Sequence, residues 1–278
     1  MVGVVTRNEP ELSWSGFDRA FYEQKSASGR ASEPTTDGIN TLACFADTAT
    51  VRERPALAAR TRDGKLATGD RPDLDQSYVC PTSESYREGL LEMIADAGRA
   101  SGDVRLDDVG FPGAEYCHCD RCTRRFSDSE FEDRLDWRAS VVTEFVAAAR
   151  ERVPGDLIVG LFPDPYPGHL YERSGIDLEA LEPMVEEFVV PLYDPSYETT
   201  YWLEALASGF ADRLDARLSV ELYANVEIDA LLAATDAVEP HADSVLYGYD
   251  ASTARAAIRR RAADARDGAT HRPDERSG

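Results

Sequence analysis

Short apolar runs alternate with amphipathic stretches along almost the whole chain. Val2–Thr6, Ile39–Ala46, Val104–Phe111, Leu157–Phe162, Phe188–Tyr193, Leu218–Tyr223 and Ser244–Tyr249 read as strands. Between them lie stretches of helical period: Phe17–Gln24, a run opening at Ser85-Tyr86-Arg87-Glu88, another at Ser129–Glu132, then Leu178–Glu187, Tyr201–Ala211, Ile228–Val238 and Ser252–Ala265. The second and third open on a capping-box pattern, in which a serine and a glutamate three residues on satisfy each other's backbone N–H groups. Strand–helix alternation of this kind implies a parallel sheet with helices outside it. The expected fold is an α/β (β/α)8 TIM barrel, spanning residues 1–265 as one domain, with a polar, frayed tail over 266–278. Only seven strands are legible. Either an eighth hides between Pro10 and Gly38, or the barrel is incomplete at its N-terminus. An open, doubly wound sheet is the alternative, although no G-x-G-x-x-G or Walker pattern follows any strand.

The strand ends favour the barrel. Asp47, Asp107 with Asp108, Asp164, Tyr193 with Asp194, Glu221 with Tyr223, and Tyr249 with Asp250 all stand where a strand stops. In a barrel these ends meet at one C-terminal face, where active sites of the fold lie. Acids there also cap the following helix, and Asp250 fits that role. Asp107 and Glu221 do not, because each sits within its apolar run. Alternation along Val104–Val109 sends Val104 and Leu106 outward, leaving Arg105 and Asp107 pointing into the barrel. An arginine two residues before a carboxylate can hold and orient it. Along Leu218–Asn225 the inward set is Ser219, Glu221, Tyr223 and Asn225. Two inward carboxylates on separate strands suit glycoside hydrolysis, one as acid and one as nucleophile or base. Asp107 and Glu221 are therefore the catalytic candidates, with Asp108 as a second choice at the first position. Arg105, Asp164, Tyr193, Asp194, Tyr223 and Tyr249 are candidate substrate-binding residues. The competing reading is an internal Arg–carboxylate network that only fills the barrel.

Four of the five cysteines form a cluster in sequence: Cys117, Cys119 and Cys122 within six residues, and Cys80 upstream. Four thiolates fit a closed, tetrahedral structural zinc site. Cys44, in an apolar strand, reads as a buried, inert thiol.

Net charge is −22, with only Lys25 and Lys65 as lysines. The acids are scattered, which favours solubility at high ionic strength, where self-repulsion is screened. This composition resembles that of proteins from a halophilic archaeon. It argues against nucleic-acid binding, which needs a basic footprint. No signal peptide or membrane span is visible, so a cytoplasmic protein is expected, with cysteines that bind metal rather than pair as disulfides.

Val79-Cys80-Pro81-Thr82-Ser83-Glu84-Ser85-Tyr86-Arg87 resembles the C-P-x-S-x-x-Y-R segment of glycoside hydrolase family 42, the zinc-carrying β-galactosidases. Cys117-His118-Cys119-Asp120-Arg121-Cys122, followed by Phe126, resembles that family's C-x-C-x-x-C…F segment. The resemblance implies one structural zinc on Cys80, Cys117, Cys119 and Cys122, a barrel, and a carbohydrate or glycoside as partner. The family's Asn-Glu pair is replaced by Leu106-Asp107-Asp108, which resembles the L-D-D strand of other barrel glycosidases and glycosidase-like proteins. The Arg105-x-Asp107 spacing is similar to the R-x-D strand of the α-amylase superfamily. The expected function is thus a glycoside hydrolase-like barrel, or a non-catalytic carbohydrate-binding barrel that keeps the zinc loop.

Overall fold

The structure, a computed structural model, describes residues 1–166, 168–192 and 200–270, with side chains described to residue 266. Eight parallel strands close into a barrel. They are β1 (Val2–Thr6), β2 (Arg19–Lys25), β3 (Ile39–Ala43), β4 (Val104–Asp107), β5 (Leu157–Gly160), β6 (Glu187–Leu192), β7 (Arg217–Tyr223) and β8 (Ser244–Gly248). Each pairs with the next, and β8 returns to β1 with Val2 opposite Val245 and Val4 opposite Tyr247. Around them run α1 (Glu9–Leu12), α2 (Thr48–Glu53), α3 (Glu84–Ser101), α4 (Asp120–Ser127), α5 (Arg134–Arg150), α6 (His169–Ser174), α7 (Leu178–Leu181), α8 (Thr200–Ala211), α9 (Ile228–Val238) and α10 (Ala251–Thr270).

The eighth strand is β2, and it corrects the helical reading of Phe17–Gln24. Phe17, Ala20, Phe21 and Gln24 have helical spacing, but the segment pairs with β1 on one side and β3 on the other. Its inward residues are Arg19, Phe21 and Glu23, so charge stands at both ends of the buried face and hides the alternation. Three other boundaries move. Helix α3 begins at Glu84 with Ser83 as N-cap, so Ser85 and Glu88 lie inside it rather than framing its start. Helix α5 begins at Arg134, capped by Asp133 through the Leu135 N–H, beyond the pattern at Ser129–Glu132. The run Leu178–Glu187 is helical only to Met184, and Glu187 opens β6.

The barrel interior is layered. At the N-terminal end Arg19 pairs with buried Glu187, which also accepts from Ser219 Oγ at 2.5 Å. Above this is a dry layer of Phe21, Ile158, Val189 and Leu246. Guanidinium groups sit on the Phe21 ring, Arg19 at 5.0 Å and Arg105 at 5.8 Å from its centroid, so one aromatic separates two charged layers. The outward residues Val104, Leu106, Leu157, Val159, Phe188, Val190, Leu218 and Val220 pack beneath the helices with Leu90, Ile94, Val142 and Phe145. Each such side chain contributes about 1.5–3 kcal/mol by leaving water. Val104 and Leu106 face outward, as alternation requires.

Candidate functional site at the C-terminal face of the barrel

Strand β4 stops because Asp108 takes φ 52°, a left-handed backbone. Aspartate is among the few non-glycine residues that enter this region, although at some cost. The turn is held by β3, whose extension donates from Cys44 N to Asp107 O and from Phe45 N to Asp108 O, at 2.7 and 3.0 Å. Strict alternation would have sent Asp108 to the outside with Leu106. Instead it lies with Asp107 and Arg105 between two cavities, of about 620 and 280 Å³, and lines both. Among described residues the other non-glycine with positive φ is Tyr249, at 74°, where β8 ends. It lines the larger cavity, and its ring lies 4.9 Å from that of Tyr223. Both backbone outliers therefore border the same opening, and such strain concentrates at functional sites.

Arg105 organises the floor of the larger cavity. Its Nε is 2.9 Å from Asp107 Oδ1, and its Nη1 is 2.6 Å from Glu221 Oε2 on β7. Arg105 and Glu221 side chains are 3% and 2% exposed, whereas Asp107 is 28% exposed. Gly160 on β5 makes room for Asp107, since a Cβ there would fall on its Oδ1. Among the described residues no ion pair holds Asp108. Burial first, then the neighbouring Asp107, push its carboxyl up to about 7, outweighing Lys25 and Arg105. Of two adjacent carboxyls, one is tied to a guanidinium and the other holds its proton near neutrality.

Three contributors to this cavity escaped sequence reasoning, because β2 was read as a helix and Arg7 lies in the loop after β1. Glu23 ends the inward row of β2 and pairs with Arg7 at 2.9 Å. Its carboxyl is raised by burial, with Asp107 and Glu221 adding to the shift against Arg7 and Arg30. Lys25 lines the cavity, while its Nζ donates to Ala43 O at 2.7 Å and pairs with buried Asp47 at 3.2 Å. Asp47 also accepts from Thr50 N, capping α2, and from Tyr86 Oη.

The other expected site residues divide. Asp164 bonds His169 at 2.8 Å and borders with it a further cavity, which shares Asp73, Pro112 and Arg173 with the smaller mouth cavity. Tyr193 and Asp194 lie outside the described residues. Asp250 caps α10 through the Thr253 N–H and hydroxyl.

Cys80, Cys117, Cys119 and Cys122 are all buried, with their Sγ atoms within 4.8 Å of one another. Cys80 lies 3.3 Å from Cys122 and 3.7 Å from Cys119. These separations exceed the ~2.05 Å of a disulfide and approach, from below, the ~3.8 Å edge of a tetrahedron with ~2.3 Å metal–sulfur bonds. Backbone N–H groups of Arg60 and Cys119 point at Cys117 Sγ, at 3.3 and 3.5 Å, as they do around bound thiolates. The four cysteines could hold a metal ion. They tie the loop before α3 to the segment between β4 and α4. That first loop supplies Asp73, Asp75 and Tyr78 to the smaller cavity beside Asp108.

No family model matches the chain, and no curated protein matches it. Solved structures do. The glycoside hydrolase domain of PgaB (BpsB) from Bordetella bronchiseptica superposes with TM-score 0.68 at 10% identity, over 92% of this chain and 98% of that one. α-L-Fucosidase isoenzyme 2 from Paenibacillus thiaminolyticus gives 0.61 at 12% identity, over 92% of this chain and 47% of the fucosidase. The catalytic domain of β-amylase from Paenibacillus polymyxa gives 0.56 at 7% identity, over 91% and 92%. At these identities the likeness is one of fold: the chain is a closed eight-stranded barrel of the architecture found in glycoside hydrolase domains. No helix among the described residues is long and apolar enough to cross a membrane.

Proposed function

We propose that the protein is a glycoside hydrolase-like enzyme that binds a carbohydrate at the mouth cavity and cleaves it there. Asp108 donates its proton to the leaving oxygen as the C–O bond breaks, and Asp107 takes a proton from the water that forms the new bond at the anomeric carbon. The observation that carries this reading is the contrast at the end of β4, where Arg105 grips Asp107 while Asp108 is pushed up to about 7. A carboxyl that keeps its proton near neutral pH, beside one gripped by a guanidinium, can serve as the acid of such a site. Glu221, nearly inaccessible and bound to Arg105, acts as a positioning residue. Tyr249 and Tyr223 offer ring faces to a sugar at the rim, and Arg7 and Glu23 offer polar groups to its hydroxyls.

The metal is zinc in a structural role, supported by the all-thiolate donor set and by the cysteine segment's resemblance to glycoside hydrolase family 42. Reduced thiols suit the cytoplasm, and the acidic surface suits high salt. A second reading, a carbohydrate-binding barrel without turnover, is favoured by one observation: Arg105 engages Asp107 and Glu221 together. Chromogenic glycosides and polysaccharides screened in high salt separate the two. Turnover by the wild type that is lost in Asp108→Asn and Asp107→Asn supports the enzyme. Saturable sugar binding with no turnover supports the binding barrel.

A further inference from the structure

The two cavities at the barrel mouth are built from different halves of the fold. β1, β2, β3, β7 and β8, with the turns after them, line the larger one. The smaller is lined by the ends of β5 and β6, by α6 and the turn after it, and by residues 73–78 and 109–112. Among the described residues three line both, and all belong to β4 or its end: Arg105, Asp107 and Asp108.

The linings differ in chemistry as well. To the shared three the larger cavity adds Arg7, Glu11, Glu23, Lys25, Glu221 and Asp250, a wall suited to hydroxyl groups. The smaller adds Leu74, Val109, Phe111, Leu161 and Ile176, each less than a tenth exposed. Of its own acids, Asp73 is paired with Arg71 at 3.3 Å and Asp75 is exposed. Phe162, 43% exposed, carries the Arg173 guanidinium 3.8 Å from its ring centroid. That cation–π stack fixes an aromatic ring in the wall. Mostly apolar walls with a few polar groups are how pockets for small organic ligands are built. The same walls keep water from Asp108, and burial is the first cause of its raised carboxyl.

The acid of a glycosidic cleavage protonates the oxygen between the sugar and the leaving group, so it must border the sites of both. Asp108 lines both cavities. We infer that the smaller cavity binds a flat, apolar group, and that this group is the leaving group of the reaction, an aryl or similar hydrocarbon aglycone, with the sugar in the larger cavity. As the C–O bond breaks, the aglycone oxygen takes the Asp108 proton and departs as a neutral phenol or alcohol. Water supplies the hydroxyl of the released sugar. The leaving-group role rests on the glycosidase reading; the apolar site does not.

2-Naphthol, titrated into the protein and followed by its fluorescence, tests the site without turnover. One saturable site per chain is expected, about tenfold weaker in Phe162→Ala. Phe131→Ala, which removes an exposed ring outside the cavity, should leave it unchanged. No saturable binding, or equal binding in Phe162→Ala and wild type, overturns the inference. Phenyl and 2-naphthyl glycosides of one sugar, whose leaving groups are similarly acidic, test the role. A kcat/KM about tenfold higher for the naphthyl compound, with the preference lost in Phe162→Ala, supports it. Faster cleavage of a disaccharide than of the naphthyl glycoside assigns the cavity to a second sugar and overturns the aglycone class, with the glycosidase reading intact. Naphthol binding with no glycoside cleaved overturns the glycosidase reading and the leaving-group role, and leaves the apolar site standing.

Discussion

Arg105 of β4 and Glu221 of β7 meet across the barrel, 2.6 Å apart and almost fully buried, two strands removed from being sheet neighbours. The pair closes the top of the dry layer and aims the arginine's Nε at Asp107. Removing one member of a buried ion pair leaves an uncompensated charge, at about 3–5 kcal/mol. Glu221→Gln should therefore lower stability by about 3 kcal/mol in urea denaturation, with an unchanged m-value. Asp107→Asn, at a more exposed position, should cost far less stability while abolishing turnover. Similar stability losses in both variants would deny them different roles.

Asp108 sets the expected pH behaviour. Its carboxyl rises from an ordinary value of 3.8 to about 7 in the fold, first through burial. It carries its proton below that pH, so the rate falls as pH rises through about 7. The stability sign is the same. A raised carboxyl favours the fold fully below its unfolded value, and that contribution disappears as pH rises through about 7. Asp108→Asn should thus show a flatter stability profile between pH 5 and 8.5, and greater relative stability at the upper end. Urea midpoints across that range check it, and identical profiles would contradict it.

The cysteine cluster predicts about one metal per chain, zinc in elemental analysis. Cys119→Ser should lower both metal content and Tm, because structural zinc sites contribute folding free energy outright. Since that cluster anchors the loop carrying Asp73, Asp75 and Tyr78, the variant should also lose ligand affinity at the mouth. A metal-free protein of unchanged Tm would refute the site.

Gly160 is a packing prediction. A methyl group on it would fall on the Asp107 carboxylate. Gly160→Ala should displace Asp107 from Arg105 and reduce turnover more than tenfold, while overpacking costs about 1–3 kcal/mol of stability. Kinetics together with circular dichroism of the variant check this, and wild-type turnover would show that Asp107 is free to move.

Surface charge predicts salt dependence. With 52 acids against 30 basic residues, self-repulsion is strong at ~10 Å screening length and weak at ~3 Å, the lengths at about 0.1 and 1 M salt. Tm should rise on passing from 0.1 to 2 M potassium chloride. A flat or falling Tm would rule out an acidic surface suited to salt.

Much of this was legible in the sequence, because seven strands carry clean apolar runs and because thiols at metal-binding spacing are rare. The inward places of Arg105, Asp107 and Glu221 followed from alternation alone. Strand β2 was not legible, since Arg19 and Glu23 put charges on the buried face, where the barrel compensates them with Glu187 and Arg7. Glu23 was lost with it. The role of Asp108 depends on one left-handed backbone angle, and no residue pattern announces that. The serines at 85 and 129 match a capping pattern, but Ser83 and Asp133 take the N-cap positions instead.

The proposed role of Asp108 as proton donor is tested by leaving-group dependence in Asp108→Asn. A glycoside with a poor leaving group needs the donated proton, whereas a dinitrophenyl glycoside does not. Asp108→Asn should lose about 10²–10⁴-fold in kcat/KM on the former and little on the latter. An equal loss on both substrates, or none on either, would contradict it.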